Sequence, residues 1–164
     1  MAGSYDTPDP ARDVFVSGSY AYVADRDSGL QIINISNPSS PTLAGSYDTP
    51  GFANGVFVSD NYAYVADGYS GLQIIINISN PSSPTLEGSY DTPNEAHGVF
   101  VSGNYAYVAD GDSGLQIINI SNPSGPTLAG SYDTPGYAQG VFVSGNYAYV
   151  ADWSSGLQIL KFVP

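Results

Sequence analysis

A unit of about 42 residues recurs four times along this chain, and the repeat limits the folds open to it. The phrase Gly-Ser-Tyr-Asp-Thr-Pro begins at Gly3, Gly45, Gly88 and Gly130, so successive copies are offset by 42, 43 and 42 residues. The first and third copies are identical at 35 of 42 positions. Copies this similar must fold alike, and a repeat of this period is typical of architectures stabilised by packing between neighbouring units.

Each copy has the pattern of four short antiparallel strands. In the third copy these are Gly98–Ser102, Tyr105–Ala109, Leu115–Ile120 and Thr127–Asp133, and Gly103-Asn104 forms a two-residue hairpin turn. A four-stranded meander with apolar residues on both faces must be packed between copies of itself. The sequence therefore predicts an all-β fold, a β-propeller of four-stranded blades with four blades per chain.

The blade boundaries do not coincide with the ends of the chain. We expect one domain over residues 1–164, with blades at approximately 11–48, 53–91, 96–133 and 138–164 and a separate N-terminal strand at 2–6. The chain opens with Ala2–Asp6, which reads as a fourth strand, and closes with Leu157–Phe162, which reads as a third strand. The N-terminal strand is thus expected to complete the last blade and to remove an open sheet edge.

This strand exchange can close a ring within one chain or between two. The third strands are apolar on both faces, as at Leu115, Ile117 and Ile118, which calls for sheet-on-sheet contact at about 10 Å far from the axis. Such close contact between sheets favours narrow angles between neighbouring blades, and therefore a ring of many blades. We predict a homodimer that forms one eight-bladed ring. A monomeric four-bladed ring and rings of other sizes are the alternatives.

One copy contains an additional residue. The stretch Gln73-Ile74-Ile75-Ile76-Asn77 has one Ile more than its siblings, and a one-residue slip would exchange the buried and exposed faces of the strand. We predict a β-bulge there that absorbs it.

The recurring phrase Tyr-Ala-Tyr-Val-Ala-Asp, as at Tyr105–Asp110, and the following Ser-Gly-Leu-Gln-Ile, as at Ser113–Ile117, resemble the LVIVD-repeat propellers. The resemblance covers essentially the whole chain. It departs from the family at Asn34, Asn77 and Asn119, where family members often have Asp. The resemblance implies a propeller fold and a surface or secreted repeat protein without an assigned activity.

Charge excludes several classes of partner. The net charge is −12, and the basic residues are Arg12, Arg26 and Lys161. Nucleic acid and anionic membranes are not expected as partners because both require clustered Lys and Arg. No apolar run approaches the length of a membrane span. We expect no signal peptide in the opening residues Met1–Tyr5. The Ser-, Thr- and Asn-rich surface favours an exported or cell-surface parent protein, without assigning a compartment.

Differences between copies concentrate at one edge of the predicted blades. Nine of the twelve positions that differ between copies one and three, or between two and four, fall in the turns between second and third strands or in the links between blades. One interpretation is a polar and aromatic rim at the channel mouth that binds a small molecule, glycan or peptide. The other is drift in loops that core packing does not restrain. The candidate ligand-binding residues are Arg12, Arg26, Asn54, Tyr69, His97, Gln139 and Trp153.

No catalytic, metal or cofactor site is predicted. His97 is the single histidine, and no neighbour in the sequence makes it a general base. The recurring aspartates could form a carboxylate ring for Ca²⁺, but such residues more often bond their own backbone. They are Asp25, Asp67, Asp110 and Asp152. The Asn-Ile-Ser glycosylation pattern at Asn34, Asn77 and Asn119 counts as one weak match because the unit itself recurs, and the chain has no Cys.

Two functional classes follow. The first is a non-catalytic scaffold or binding module, natural or engineered, whose main partner is itself and for which a small ligand remains open. The second is an enzyme or metal-dependent lectin that uses the channel mouth. Near-identical blades favour the first, because active sites are asymmetric constellations.

Overall fold

The computed structural model describes residues 1–161. Within them the chain forms β-strands, turns and one short 3-10 turn at Trp153–Ser155. None of these residues belongs to a helix able to cross a bilayer. The strands are β1 Asp13–Ser17, β2 Tyr20–Ala24, β3 Leu30–Asn34, β4 Thr42–Tyr47, β5 Gly55–Ser59, β6 Tyr62–Ala66, β7 Leu72–Ile76, β8 Thr85–Tyr90, β9 Gly98–Ser102, β10 Tyr105–Ala109, β11 Leu115–Asn119, β12 Thr127–Tyr132, β13 Gly140–Ser144, β14 Tyr147–Ala151 and β15 Leu157–Lys161.

Four antiparallel sheets follow one another along the chain, each a meander in sequence order. Three have four strands, β1 to β4, β5 to β8 and β9 to β12, and the last has β13 to β15. The first hairpin of each sheet turns at Gly18, Asp60, Gly103 or Gly145, with φ of 57°, 53°, 57° and 57°. Glycine adopts this left-handed region at little cost, so the Gly-Asn pattern suits the turn. The predicted four blades are confirmed, and the last has three strands within the described residues.

The core lies between blades. At the first junction, Ala24, Leu30 and Ile32 of the first blade pack against Val56 and Val65 of the second. We call the side of a blade that carries the Leu30-type residues its rear face, and the side that carries the Val56-type residues its front face. Equivalent clusters join the second blade to the third and the third to the last. Each blade thus buries both faces where it has two neighbours, as expected for stacked repeats.

The innermost strands stack a phenylalanine from each blade. Ring centroids are 4.9 Å apart for Phe15 and Phe57, 4.9 Å for Phe57 and Phe100, and 4.7 Å for Phe100 and Phe142. Strand β1 packs on β5, β5 on β9 and β9 on β13, and no comparable packing joins β13 back to β1 within the described residues. The arrangement is propeller-like but open: one chain forms an arc of blades with two free faces.

The additional residue of the second blade is absorbed differently from the prediction. Strand β7 keeps the common register, with Ile76 opposite Tyr62 where the first and third blades have Asn. The extra residue is accommodated just after the strand, where Asn77 adopts φ 65°, and Ile78 returns to a buried position. A register shift between the third and fourth strands does occur, but it occurs in all three four-stranded blades. The predicted local bulge is therefore wrong, because a left-handed Asn costs less than exchanging the faces of a strand.

The two end faces of the arc expose residues that the interior junctions bury. Val14 on the front face of the first blade is 57% exposed, whereas its equivalent Val56 is 3% exposed. Leu157 on the rear face of the last blade is 61% exposed, whereas Leu115 is 1% exposed. The difference arises because neither end face has a neighbouring blade.

Residues 2–6 are exposed and form no strand in the single chain. The segment nevertheless lies where a fourth strand of a preceding blade belongs. A Cβ on Gly3 would lie 2.2 Å from the Pro38 carbonyl oxygen, as a Cβ on Gly88 would lie 2.2 Å from that of Pro123. Within residues 1–161, strand β15 pairs with β14 and with no other strand. The predicted pairing of residues 2–6 with Leu157–Phe162 is absent within the described part of this chain, and Phe162 lies outside that part.

Candidate functional site

The turns between second and third strands and the links between blades lie at the same edge, as predicted. Isolated β-bridges join each of the first three turns to the link that enters the next blade: Arg26 to Ala53, Gly68 to Ala96 and Gly111 to Ala138. We call this edge of the arc the turn-and-link face. It carries all the candidate ligand-binding residues.

Four of those candidates line one cavity. Arg12, Asn54, His97 and Gln139 surround a volume of about 240 Å³. Each immediately precedes the first strand of its blade, so the repeat geometry carries all four to the inner rim of the arc. A guanidinium, an imidazole and two carboxamides therefore line the cavity, which makes it polar. We call it the axial cavity because it lies at the inner rim of the arc.

His97 belongs to a hydrogen-bonded chain. The Tyr137 hydroxyl donates to Glu95 Oε2 at 3.1 Å and lies 3.0 Å from His97 Nε2. Because Tyr137 gives its proton to Glu95, His97 Nε2 is the donor to the Tyr137 oxygen. Burial lowers the pKa of His97, and the charge of Arg12 lowers it further, whereas Glu95 and Asp110 oppose this effect.

Tyr137 and Glu95 were not among the predicted site residues. Burial, together with the neighbouring Glu95 carboxylate, raises the pKa of Tyr137 to about 12. Both residues occupy the repeat position two before a rim residue. That position also differs between copies, which was the available signal in the sequence.

Arg26 and Tyr69 lie away from the axial cavity. The Arg26 guanidinium lies 5.0 Å from the centroid of the Phe52 ring and 3.7 Å from an Asp27 carboxylate oxygen. Tyr69 lines a separate cavity with Phe52, Asp27 and Asp48. The structure thus does not join these two candidates to the other rim residues.

Trp153 stands at the free end of the arc. It is 75% exposed, and its ring meets Tyr137 edge-on at 6.2 Å. A cavity of about 460 Å³ is lined by Tyr137, Gln139 and Trp153. The backbone of Trp153 has φ 40°, in the same region as Gly68 and Gly111 at the equivalent turn. A left-handed backbone is uncommon for tryptophan, but every copy adopts it at this turn position, since Arg26 has φ 48° there.

The recurring aspartates fasten each link to the blade it enters. Asp67 accepts a hydrogen bond from Thr49 Oγ1 at 2.5 Å and one from Gly51 N at 2.8 Å. Burial raises the pKa of Asp67 to about 6, although both hydrogen bonds oppose the shift, and burial raises the pKa of Asp110 in the same way. We call each such pair of hydrogen bonds, from a link to the aspartate of the blade it enters, a clasp. The corresponding clasps pair Asp110 with Thr92 and Asn94, and Asp152 with Thr134 and Gly136.

These side chains hold a link rather than their own turn, which corrects the expected self-bonding. The described residues contain no cluster of three or more His, Cys, Asp or Glu suited to a metal. Two of the three asparagines in the weak glycosylation pattern make local bonds, since Asn34 Oδ1 accepts from Ser36 N and Asn119 Oδ1 from Ser121 N.

The first clasp is incomplete. Asp9 N donates to Asp25 Oδ2 at 3.1 Å, but the Thr7 hydroxyl donates to Asp9 O. Asp25 Oδ1 is buried without a partner among the described residues. The N-terminal link is therefore attached to the first blade less completely than the interior links.

Comparison with known proteins agrees with this architecture. The model of the LVIVD repeat matches residues 10–49, 50–92, 93–134 and 135–160. The crystal structure of the computationally designed Ika4 protein is similar, with a TM-score of 0.78 and 8% identity over 96% of this chain and 94% of that one. The computationally designed Ika8 protein has a TM-score of 0.60 and 6% identity over 91% of this chain and 57% of that one.

At such low identity these likenesses show the fold alone. None of the curated proteins matches the chain. The family model, in contrast, matches most of the chain and divides it at the blades seen in the structure. The chain belongs to the LVIVD repeat family.

Proposed function

We propose that this chain is a non-catalytic β-propeller module that assembles with a second copy of itself into one eight-bladed ring, by strand exchange, and serves as a structural and binding scaffold. The observation that carries the proposal is the pair of apolar end faces. The front face of the first blade and the rear face of the last blade carry the residue types that fit together at every interior junction.

The front face of the first blade has room for another blade. A cavity of about 520 Å³ lies there, and its lining includes Val14, Val23 and Ile33. At the equivalent positions in the second blade, Val56 and Ile75 are buried against the rear face of the first. The rear face of a partner's last blade, with its exposed Leu157 and Ile159, has the matching surface.

The N-terminal segment supports the same junction. Gly3 and Pro38 border the cavity, so the segment stands beside the space that a preceding blade would occupy. Strand β15 pairs with β14 alone among residues 1–161, so its other edge has no partner there. Residues 2–6 of one chain would supply the missing fourth strand to β15 of the other, which removes an unpaired edge.

The turn at Trp153 fits this junction as well. Arg26, Gly68 and Gly111 each bridge to the alanine of the next link, and Trp153 is the fourth member of that series. Its partner would be the partner's Ala11. The adjacent Pro10 of the partner subunit would then cover the Trp153 ring, as Phe52 lies against Arg26. The cavity at Tyr137, Gln139 and Trp153 is thus a place for the partner's link rather than a ligand site.

Two copies suffice because each junction joins the tail of one chain to the head of the next. Such head-to-tail interfaces form rings when the rotation closes. Two arcs of four blades joined twice give eight blades and leave neither end face exposed. A single chain leaves both exposed.

Light scattering tests the assembly directly. We expect a mass of two chains, and a mass of one chain at all concentrations would overturn the proposal. Ile159→Lys places a charge on the rear end face and should shift the mass to one chain. Leu128→Lys is the matched control, because Leu128 is 48% exposed on an outer strand away from both end faces.

Fluorescence provides a second measurement. Trp153 is the single tryptophan. Its emission should shift to shorter wavelength as chains associate, because the partner's link removes water from the ring. The shift should follow the change in mass on dilution. An emission maximum that stays constant while the mass halves would contradict the proposed contact between Trp153 and the link of the second chain.

A further inference from the structure

We propose that the axial cavity of the assembled ring binds a small dicarboxylate between its two copies of Arg12. This inference rests on the proposed two-chain ring, because one chain supplies half of the site. It concerns the cavity lined by Arg12, Asn54, His97 and Gln139.

Arg12 is the cation that this cavity presents to a ligand. Its guanidinium makes neither a hydrogen bond nor an ion pair with any residue among positions 1–161. Arg26 lies on the same face, but it is stacked on Phe52 and close to Asp27. An unpaired guanidinium is suited to bind a carboxylate through two parallel N–H donors.

Two other lining residues, Asn54 and Gln139, also offer N–H groups. Asn54 and Gln139 carry carboxamides, and Asn54 Nδ2 donates to the Ala96 carbonyl at 3.1 Å, which fixes its orientation. His97 is held by Tyr137 at 3.0 Å. The cavity lining thus contains donors from Arg12, Asn54 and Gln139, and no carboxylate is part of it.

Nearby carboxylates are already bound to other groups. Asp13 accepts hydrogen bonds from Val14 N at 2.9 Å and Val56 N at 3.0 Å. Glu95 accepts from the Tyr137 hydroxyl. Asp110 belongs to a clasp. Their charges lower the affinity for an anion without occupying the cavity. We therefore expect a dissociation constant in the millimolar to high-micromolar range, which corresponds to a binding free energy of ~4–6 kcal/mol.

Ring closure doubles the site. Around eight blades the rim would read Arg12, Asn54, His97 and Gln139 twice. The two Arg12 residues are then four blades apart and face each other across the axis. A ligand with a carboxylate at each end meets a guanidinium at each end, whereas a monocarboxylate meets only one. The two-fold symmetry of the ring thus selects a dianion.

Three other large cavities do not compete for this role. The Tyr69 cavity, of about 500 Å³, is lined by the carboxylates of Asp27 and Asp48, which disfavour an anion. The cavity on the front face of the first blade receives the partner's last blade, and the cavity beside Trp153 receives the partner's link. Of these cavities, the axial cavity is the one that ring assembly would enlarge instead of filling.

Titration calorimetry on the full chain tests the inference, with a series of unbranched dicarboxylates from malonate to adipate as probes. Acetate and succinamide serve as monoanionic and neutral references. We expect one dicarboxylate bound for every two chains, with at least tenfold higher affinity than acetate. A stoichiometry of one per chain, or equal affinity for succinamide, would overturn the inference.

Two matched substitutions locate the site. Arg12→Gln should weaken binding at least tenfold, because it removes both facing guanidinium groups. Arg26→Gln makes the same charge change on the same face and should alter affinity less than twofold. Equal losses for both variants would show a general charge effect and overturn the inference.

Light scattering on each sample separates this inference from the proposed function. A wild-type protein of one-chain mass would overturn the ring. A two-chain ring that binds none of the dicarboxylates would overturn the axial site and leave the ring intact.

Discussion

The interior junctions of the arc and its two end faces use the same residues at the same repeat positions but differ in burial. Ile74 in the second blade is fully buried, whereas Ile159 at the same position of the last blade is 58% exposed. Both follow Leu-Gln in a third strand and pair with an equivalent tyrosine. The comparison teaches that burial here depends on whether a following blade is present and not on the strand itself.

Shortening the same side chain in both regions gives the largest expected effect. Ile74→Ala should lower the free energy of unfolding by about 3–4 kcal/mol, because it removes buried methyl groups and leaves a cavity. Ile159→Ala should cost less than about 1 kcal/mol wherever the single chain predominates. Chemical denaturation at several chain concentrations measures both.

The concentration dependence sharpens the comparison. The cost of Ile159→Ala should rise as the ring forms, and the cost of Ile74→Ala should not. Equal costs at low concentration would mean that the last blade is already covered within one chain.

The interior clasps predict a pH dependence of intermediate size. The pKa of Asp67 is about 6 in the folded chain, above its ordinary value of 3.8. Between pH 3.8 and 6 the folded state therefore binds more protons than the unfolded state. The stability that protonated Asp67 contributes is fully present below pH 3.8 and is lost as pH rises through about 6. The loss is on the order of 2–3 kcal/mol.

Asp67→Asn tests that contribution, because the amide does not titrate and its oxygen can accept from Thr49. Its NH2 group then faces the Gly51 N–H, which lowers stability at every pH without changing the slope. Thermal unfolding between pH 3.5 and 7 should show a shallower decline for the variant. An identical slope in both proteins would rule out Asp67 as the titrating group.

The smallest expected difference compares two threonines at the same repeat position. Thr49→Val should cost about 1–2 kcal/mol, because it leaves Asp67 Oδ1 buried without a donor. Thr7→Val should cost less than about 0.5 kcal/mol in the single chain, because the Thr7 hydroxyl bonds Asp9 O instead of Asp25. Denaturant titration compares the two variants, and equal costs would indicate that the first clasp is complete in solution.

The pattern of the unit was sufficient to predict the strands, the hairpin turns and the edge that carries the candidate residues. The placement of Arg12, Asn54, His97 and Gln139 around one cavity was also predictable, since each precedes a first strand. The grouping of Tyr137 and Glu95 with His97 was not, because these residues meet across blades and no local spacing encodes that contact.

Two details depended on competing local energies. The extra residue of the second blade is accommodated by Asn77 outside the strand, because a single left-handed residue disturbs fewer contacts than a bulge within a packed sheet. The clasp aspartates bond the link instead of their own turn, because packing of one blade on the next brings a threonine hydroxyl and a backbone N–H to each carboxylate.

The amino-acid sequence by itself determined the blade: its four-strand pattern, its turns and the apolar character of both faces follow from side-chain alternation and glycine placement. Only the tertiary structure decided which faces are satisfied. Residues such as Val56 and Leu115 are buried at the junctions, whereas their equivalents Val14 and Leu157 are exposed at the two ends, because burial is a property of neighbouring blades.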